Sequence, residues 1–114
     1  MTLYRHQPGP RYAEAVVVNG LIFHTQVPAN PDADARSQTA NVLEQVEVLL
    51  QELGSDKTRL VDATIFLADL ADYDAMNEAW DAWVVAGHTP TRATVQAKLA
   101  DPRWKVEIKL IATR

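Results

Sequence analysis

Pro90-Thr91-Arg92-Ala93-Thr94-Val95, followed after a proline-containing turn by Val106-Glu107-Ile108, sets an arginine and a carboxylate in two neighbouring half-apolar runs. From Ala93 onward Ala93, Val95, Ala97 and Leu99 alternate with Arg92, Thr94, Gln96 and Lys98, the period of two that a strand imposes. In the second run Val106, Ile108, Leu110 and Ala112 alternate with Lys105, Glu107, Lys109 and Ile111. The pattern predicts a hairpin of residues 92–99 with 105–112, carrying Arg92 and Glu107 together on a polar face turned away from a helix-packed core. With the turn at 100–103, Gln96 faces Glu107 and Arg92 lies roughly 13 Å further along. That spacing is too long for an ion pair, but two long side chains can bracket a small molecule across it, with Thr94 between them.

Upstream, residues 13–18 and 21–25 are short apolar runs separated by Asn19-Gly20, the pair suited to the two positive φ angles of a type I′ turn, so they read as a hairpin. Asp34 can cap a helix whose Val42, Leu43, Val46, Leu49, Leu50 and Leu53 keep three- and four-residue spacing up to Gly54. Residues 60–67 are rich in β-formers and read as a central strand. Asp72 precedes a second helix, ended by Gly87, with Tyr73, Met76, Trp80, Trp83 and Val84 on one face. The order ββαβαββ predicts an α+β two-layer sandwich: a mixed sheet of about five strands with two helices on one face. Two helices cover one face only, yet the first hairpin is apolar on both sides. A symmetric oligomer is the simplest cover for the other face.

A chain of 114 residues suits one domain, 1–114, with a core that needs no staples. The absence of cysteine excludes thiolate nucleophiles and disulfides and suits a reducing cytosol. Residues 1–5 open no signal-like apolar run and no segment reaches the roughly 20 apolar residues of a membrane span, so the expectation is a soluble, cytoplasmic protein without a membrane partner. A formal net charge of −4, without a lysine or arginine block, argues against nucleic acid as a partner. His6, His24 and His88 show no ligand spacing, so no metal is expected; there is no glycine-rich phosphate loop. Trp80, Trp83 and Met76 read as helix core rather than a stacking platform for bases.

The run Pro90-Thr91-Arg92-Ala93-x-Val95 with Val106-Glu107-Ile108 resembles the C-terminal motif of the RidA family, also called YjgF, of reactive imine deaminases. The resemblance extends through Gly9-Pro10, Gln26-Val27-Pro28, the helix from Gln38-Thr39 to Leu53, Ala63-Thr64-Ile65-Phe66-Leu67 and Met76-Asn77, nearly the whole chain. It implies a chorismate-mutase-like fold, a homotrimer with a site in each intersubunit cleft, no cofactor, and hydrolysis of 2-imino acids such as 2-iminopropanoate or 2-iminobutanoate to 2-keto acids and ammonia. Arg92 would grip the substrate carboxylate through its planar fork. Glu107 would orient a water and take its proton. Thr94, where the family often has cysteine, and Asn77 would lie beside the substrate. Each also has a plainer reading: Arg92 and Glu107 as surface charges, Asn77 as an interface hydrogen-bonder.

Two stretches depart from the family pattern. The usual Gly-Pro-Tyr is Gly9-Pro10-Arg11, with Tyr12 one position late, which puts Arg11 in the tyrosine's place. The usual Ser-Gly-Gln is His24-Thr25-Gln26, so that His24 stands for the serine and Thr25 narrows the approach of substrate to backbone. A lone histidine near a strand end also reads as a structural hydrogen-bonder. These departures keep open the reading of a non-catalytic trimeric module that binds small carboxylates; the acidic balance and the lack of a basic or aromatic nucleic-acid surface speak against a third, the endoribonuclease or translation-inhibitor activity often attached to the family.

Overall fold

The computed structural model describes residues 2–114; Met1, where the N-terminal reading begins, lies outside them. Six strands form one sheet: β1 (Leu3–Pro8), β2 (Ala13–Val18), β3 (Leu21–Gln26), β4 (Leu60–Leu67), β5 (Thr91–Gln96) and β6 (Val106–Thr113), in the spatial order β1-β2-β3-β6-β4-β5. The helices are α1 (Ala35–Glu52), between β3 and β4, and α2 (Tyr73–Trp83), between β4 and β5. The α+β architecture matches the expectation, with one strand more than the sequence suggested. The extra strand, β1, is an edge strand whose residues are exposed apart from half-buried His6, so it carries no core periodicity to read.

The local signals that held are those fixed by neighbours in the chain. Val18 pairs with Leu21, and Asn19 and Gly20 adopt φ of 51° and 75°, as the hairpin turn requires. Asp34 caps α1, its carboxylate accepting the Ser37 N–H at 2.8 Å. Val42, Leu43, Val46 and Leu50 are buried with Ile22, Ile65, Ile108 and Leu110 of the sheet in one cluster, so a single face of α1 packs on the sheet core. α2 ends at Trp83, earlier than Gly87 suggested; Met76, Ala79 and Trp80 are its buried residues, and Tyr73 stays exposed.

The predicted C-terminal hairpin does not form. β5 runs parallel to β4 at the sheet edge, with Ala63 opposite Arg92, whereas β6 lies between β3 and β4 and is antiparallel to both. Two physical reasons account for the difference. Strand, helix, strand in sequence makes a parallel crossover, and α2 supplies the connecting length between β4 and β5. The central slot goes to the strand with the stronger apolar face: Val106, Ile108, Leu110 and Ala112 are all buried, while β5 has no fully buried residue.

This topology reverses one face assignment. Ala63, paired with Arg92, and Ile65, paired with Thr94, are buried beneath the helices, so Arg92 and Thr94 project to the helix side. Phe66 is paired with both Val95 and Glu107, which share the opposite, uncovered face. Arg92 and Glu107 therefore lie on opposite faces of the sheet, not together on one polar face. The spacing along a hairpin that was expected between them has no counterpart here.

Candidate functional site

Arg92 is the better-defined half of the site. Its Nη1 donates to Asn77 Oδ1 at 2.7 Å and approaches Met76 Sδ at 3.9 Å, and its Nη2 donates to the Tyr73 hydroxyl at 3.3 Å. The guanidinium carbon lies 5.4 Å from the Trp80 ring centroid and 5.9 Å from that of Tyr73, so two aromatic faces flank the charge. α2 creates this cradle because Tyr73, Met76, Asn77 and Trp80 fall on one stripe at three- and four-residue spacing. Among the described residues no carboxylate pairs with Arg92. A guanidinium has five N–H donors; Asn77, Tyr73 and the weak sulfur acceptor engage three, which leaves two for an incoming anion. Asn77, expected beside the substrate, is thus a hydrogen-bond partner of Arg92, as is Tyr73, which the sequence placed on one face of the second helix. Thr94 Oγ1, on the same strand face, is buried without a hydrogen-bond partner.

Glu107 belongs to a second region, a cleft of about 500 Å³ on the uncovered side of the sheet. Tyr12, Phe23, Thr25, Trp104, Glu107 and Lys109 line it. Neighbouring strands bring Thr25 and Lys109 together as a register pair, and Lys109 is two residues from Glu107 on the same face. Trp104 is presented by a turn in which Asp101 Oδ1 accepts the Arg103 N–H at 2.9 Å and the Asp101 carbonyl accepts the Trp104 N–H at 3.1 Å. The backbone hydrogen bond from Arg103, followed by its side-chain bond, holds the Asp101 carboxyl below its ordinary value.

Two of the expected binding residues, Arg11 and His24, present no free side-chain group to the cleft. Arg11 is exposed and outside the cleft lining, which contains Tyr12 instead. The turn closed by the Gly9 N–H on the Tyr12 carbonyl, 2.8 Å, carries the chain around so that the late tyrosine reaches the site side. His24 lines the cleft but is only 4% exposed, and both ring nitrogens are engaged, Nδ1 with the Glu14 carbonyl and Nε2 with Gln26 Oε1 at 2.9 Å. Its side chain has no free nitrogen for a ligand. Thr25, by contrast, is exposed on the cleft floor. Among the described residues no group of three or more metal-ligating side chains is assembled, and no helix is long and apolar enough to cross a membrane.

A protein-family model described as Endoribonuclease L-PSP matches residues 4–114. The chain belongs to this family, the YjgF/RutC proteins. It is 54% identical over 112 residues to the RutC family protein YoaB of Escherichia coli (strain K12), covering 98% of each chain. It is 47% identical to a RutC family protein of Haemophilus influenzae, covering 99% of both. The crystal structure of a member of the YjgF protein family from Neisseria meningitidis superposes with a TM-score of 0.97 at 51% identity, covering 100% of this chain and 96% of that one. The YjgF/RutC chain described here thus divides its two motif charges between an arginine cradle at the sheet edge and a glutamate cleft on the uncovered face.

Proposed function

We propose that this YjgF/RutC chain is a single-domain hydrolase of small 2-imino acids, of the 2-iminopropanoate or 2-iminobutanoate kind, that acts as a homotrimer with sites between subunits. The observation that carries the reading is Arg92: a half-buried guanidinium, oriented by neutral partners, with no carboxylate partner among the described residues and two donors to spare. Such a group is built to receive an anion. The separation of Arg92 from Glu107 supports an intersubunit site, because the β5 edge of one subunit meeting the cleft of the next would join the two halves. The uncovered sheet face carries Phe23, Val95, Ile111 and Phe66, an apolar surface suited to burial between copies.

In this reading Arg92 holds the carboxylate, with Asn77 and Tyr73 fixing the plane of the guanidinium. Glu107 accepts a proton from a water as its oxygen bonds to the imine carbon, giving a tetrahedral carbinolamine. From the protonated imine, Glu107 returns that proton to the nitrogen and then takes the hydroxyl proton as the carbonyl forms, the carbon–nitrogen bond breaks and ammonia leaves, carrying the last proton away as ammonium. Water is the only co-reactant. Thr25 and Tyr12 shape the floor and wall against which the substrate carbon chain rests.

The test is to generate 2-iminopropanoate with an amino-acid oxidase and follow its decay with semicarbazide as trap. Faster decay with the protein, lost in Glu107→Gln while 2-oxobutanoate still binds, is the expected result. Binding of 2-oxobutanoate with no acceleration would replace the enzyme with a carboxylate-binding module, a reading favoured by Thr25 standing in the place of the family's glycine. RNA cleavage that disappears with Arg92→Ala would instead support the activity named in the family model.

A further inference from the structure

His24 is a buried titratable group that the proposed chemistry does not use, and its surroundings prescribe its charge. Hydrogens on imidazole and amide groups are assigned from their partners, and here the partners are anchored by backbone groups whose roles are fixed. The Ala29 N–H can only donate, so Asn41 must turn its Oδ1 toward it, 2.8 Å away. The same oxygen lies 2.8 Å from the Gln45 amide nitrogen, which also reaches the Val27 carbonyl at 3.2 Å. Gln45 therefore presents its oxygen to Gln26. The Gln26 amide nitrogen donates to that oxygen at 3.0 Å and to the Val27 carbonyl at 3.1 Å. Gln26 is thus pinned twice, and only its oxygen is left to face His24 Nε2 at 2.9 Å. On the other side of the ring, Nδ1 faces the Glu14 backbone carbonyl, which can only accept. Reversing Gln26 would require reversing Gln45 and Asn41 in turn, ending in two donors opposed at Ala29.

Both nitrogens of His24 must therefore donate, a condition that only the imidazolium meets. A neutral ring would set a lone pair against a carbonyl oxygen inside the protein and leave two buried acceptors with one donor between them. His24 is paired with Ala15 and Leu110, so its ring lies on the helix side of the sheet, behind the cleft whose open face carries Glu14, Glu107 and Lys109; Glu44 and Glu52 of α1 and Glu14 of β2 border the Gln26–Gln45 chain.

We propose that His24 is a fixed imidazolium behind the cleft, held by the anchored chain Asn41–Gln45–Gln26, and that its charge makes the cleft receptive to a small carboxylate. With both N–H groups committed, it acts through space as a positioning residue and transfers no proton. The charge state follows from the chain alone; its use for a carboxylate rests on the proposed function. The chain also ties β3 to α1, so the charge of His24 and the packing of that helix support each other.

Two measurements test the proposal on the intact protein. Nitrogen-15 spectra of the histidine rings should show both His24 nitrogens protonated at neutral pH; an unprotonated ring nitrogen would overturn it whatever the protein catalyses. Titration with 2-oxobutanoate should show affinity in folded His24→Gln lower by on the order of tenfold, with a shallower salt dependence than the parent. Equal affinity and salt dependence in both would overturn the role in carboxylate binding. If the parent itself does not bind 2-oxobutanoate, that role falls with the proposed function, while the ring spectra still decide the charge.

Discussion

Arg92 and Thr94 share one face of β5 and differ in what they lack among the described residues: Arg92 has no counter-ion and Thr94 Oγ1 has no hydrogen-bond partner. Replacing Arg92 by alanine should leave the sheet folded, because β5 is an edge strand, and should lower carboxylate affinity and imine turnover together. Truncating one side of a desolvated charge-assisted pair costs about 2 to 5 kcal/mol, on the order of 30- to several-thousand-fold. Arg92→Lys should recover only part of this, since an ammonium loses the planar fork. Full turnover in folded Arg92→Ala would remove the residue from the site. Thr94→Val deletes a buried hydroxyl whose hydrogen bond the chain does not make, so thermal unfolding should occur at the same or a higher temperature. If a bound substrate supplies the missing partner, carboxylate affinity should fall by about 1 kcal/mol, roughly fivefold. Stability and binding lost together would show a structural hydroxyl instead.

At the scale of elements, Gln38 joins α1 to two loops. It is fully buried, its amide nitrogen lies 3.1–3.2 Å from the carbonyls of Pro31, Ala33 and Arg103, and its oxygen accepts the Lys105 N–H at 2.7 Å. Gln38→Met keeps the volume but strands a buried N–H and several carbonyls, and should cost roughly 2 to 4 kcal/mol in denaturant unfolding. Because the loop it holds presents Trp104, the cleft should loosen as well. Turns and caps add a dependence on acid. Asp34, through the Ser37 N–H, Asp56, through the Thr58 side chain and N–H, and Asp101, through the Arg103 N–H, all have carboxyls held below the ordinary value of 3.8. A depressed folded-state value contributes stability that is complete above 3.8 and is lost as pH falls below it through the folded values. Urea midpoints should therefore decline in that acidic range, and less steeply in Asp34→Asn, where one such group is absent. An identical slope in the two proteins would show that the cap is not coupled to folding.

For the whole molecule, the decisive quantity is what covers the second face of the sheet. A homotrimer should be seen by sedimentation at micromolar concentration. Val95 is 41% exposed on that face, on the edge strand and away from the helix-packed core. Val95→Glu should leave the chain folded while shifting it toward monomer, with turnover falling in proportion because each site would lose one of its halves. A parent that stays monomeric would leave Arg92 and Glu107 on opposite faces with no route to a common substrate.

The sequence by itself determined the features that depend on neighbours along the chain. The Asn19-Gly20 turn, the Asp34 cap, the apolar stripe of α1, the β4 strand and the Arg92 and Glu107 motif positions were all legible, because turn angles, caps and periodicity are local. Asn77 beside Arg92 was legible only through the family motif. Tertiary structure alone decided which strands are neighbours: alternation marks the two faces of a strand but does not say which face meets the helices, since Arg92 is polar and yet points toward α2. That choice followed from competition for the central slot, which β6 took with four buried residues while β5 went to the edge. The charge demanded of His24 likewise arises only when Gln26, Gln45 and Asn41, spread over two elements, close into one chain between backbone groups whose hydrogen-bonding roles are fixed.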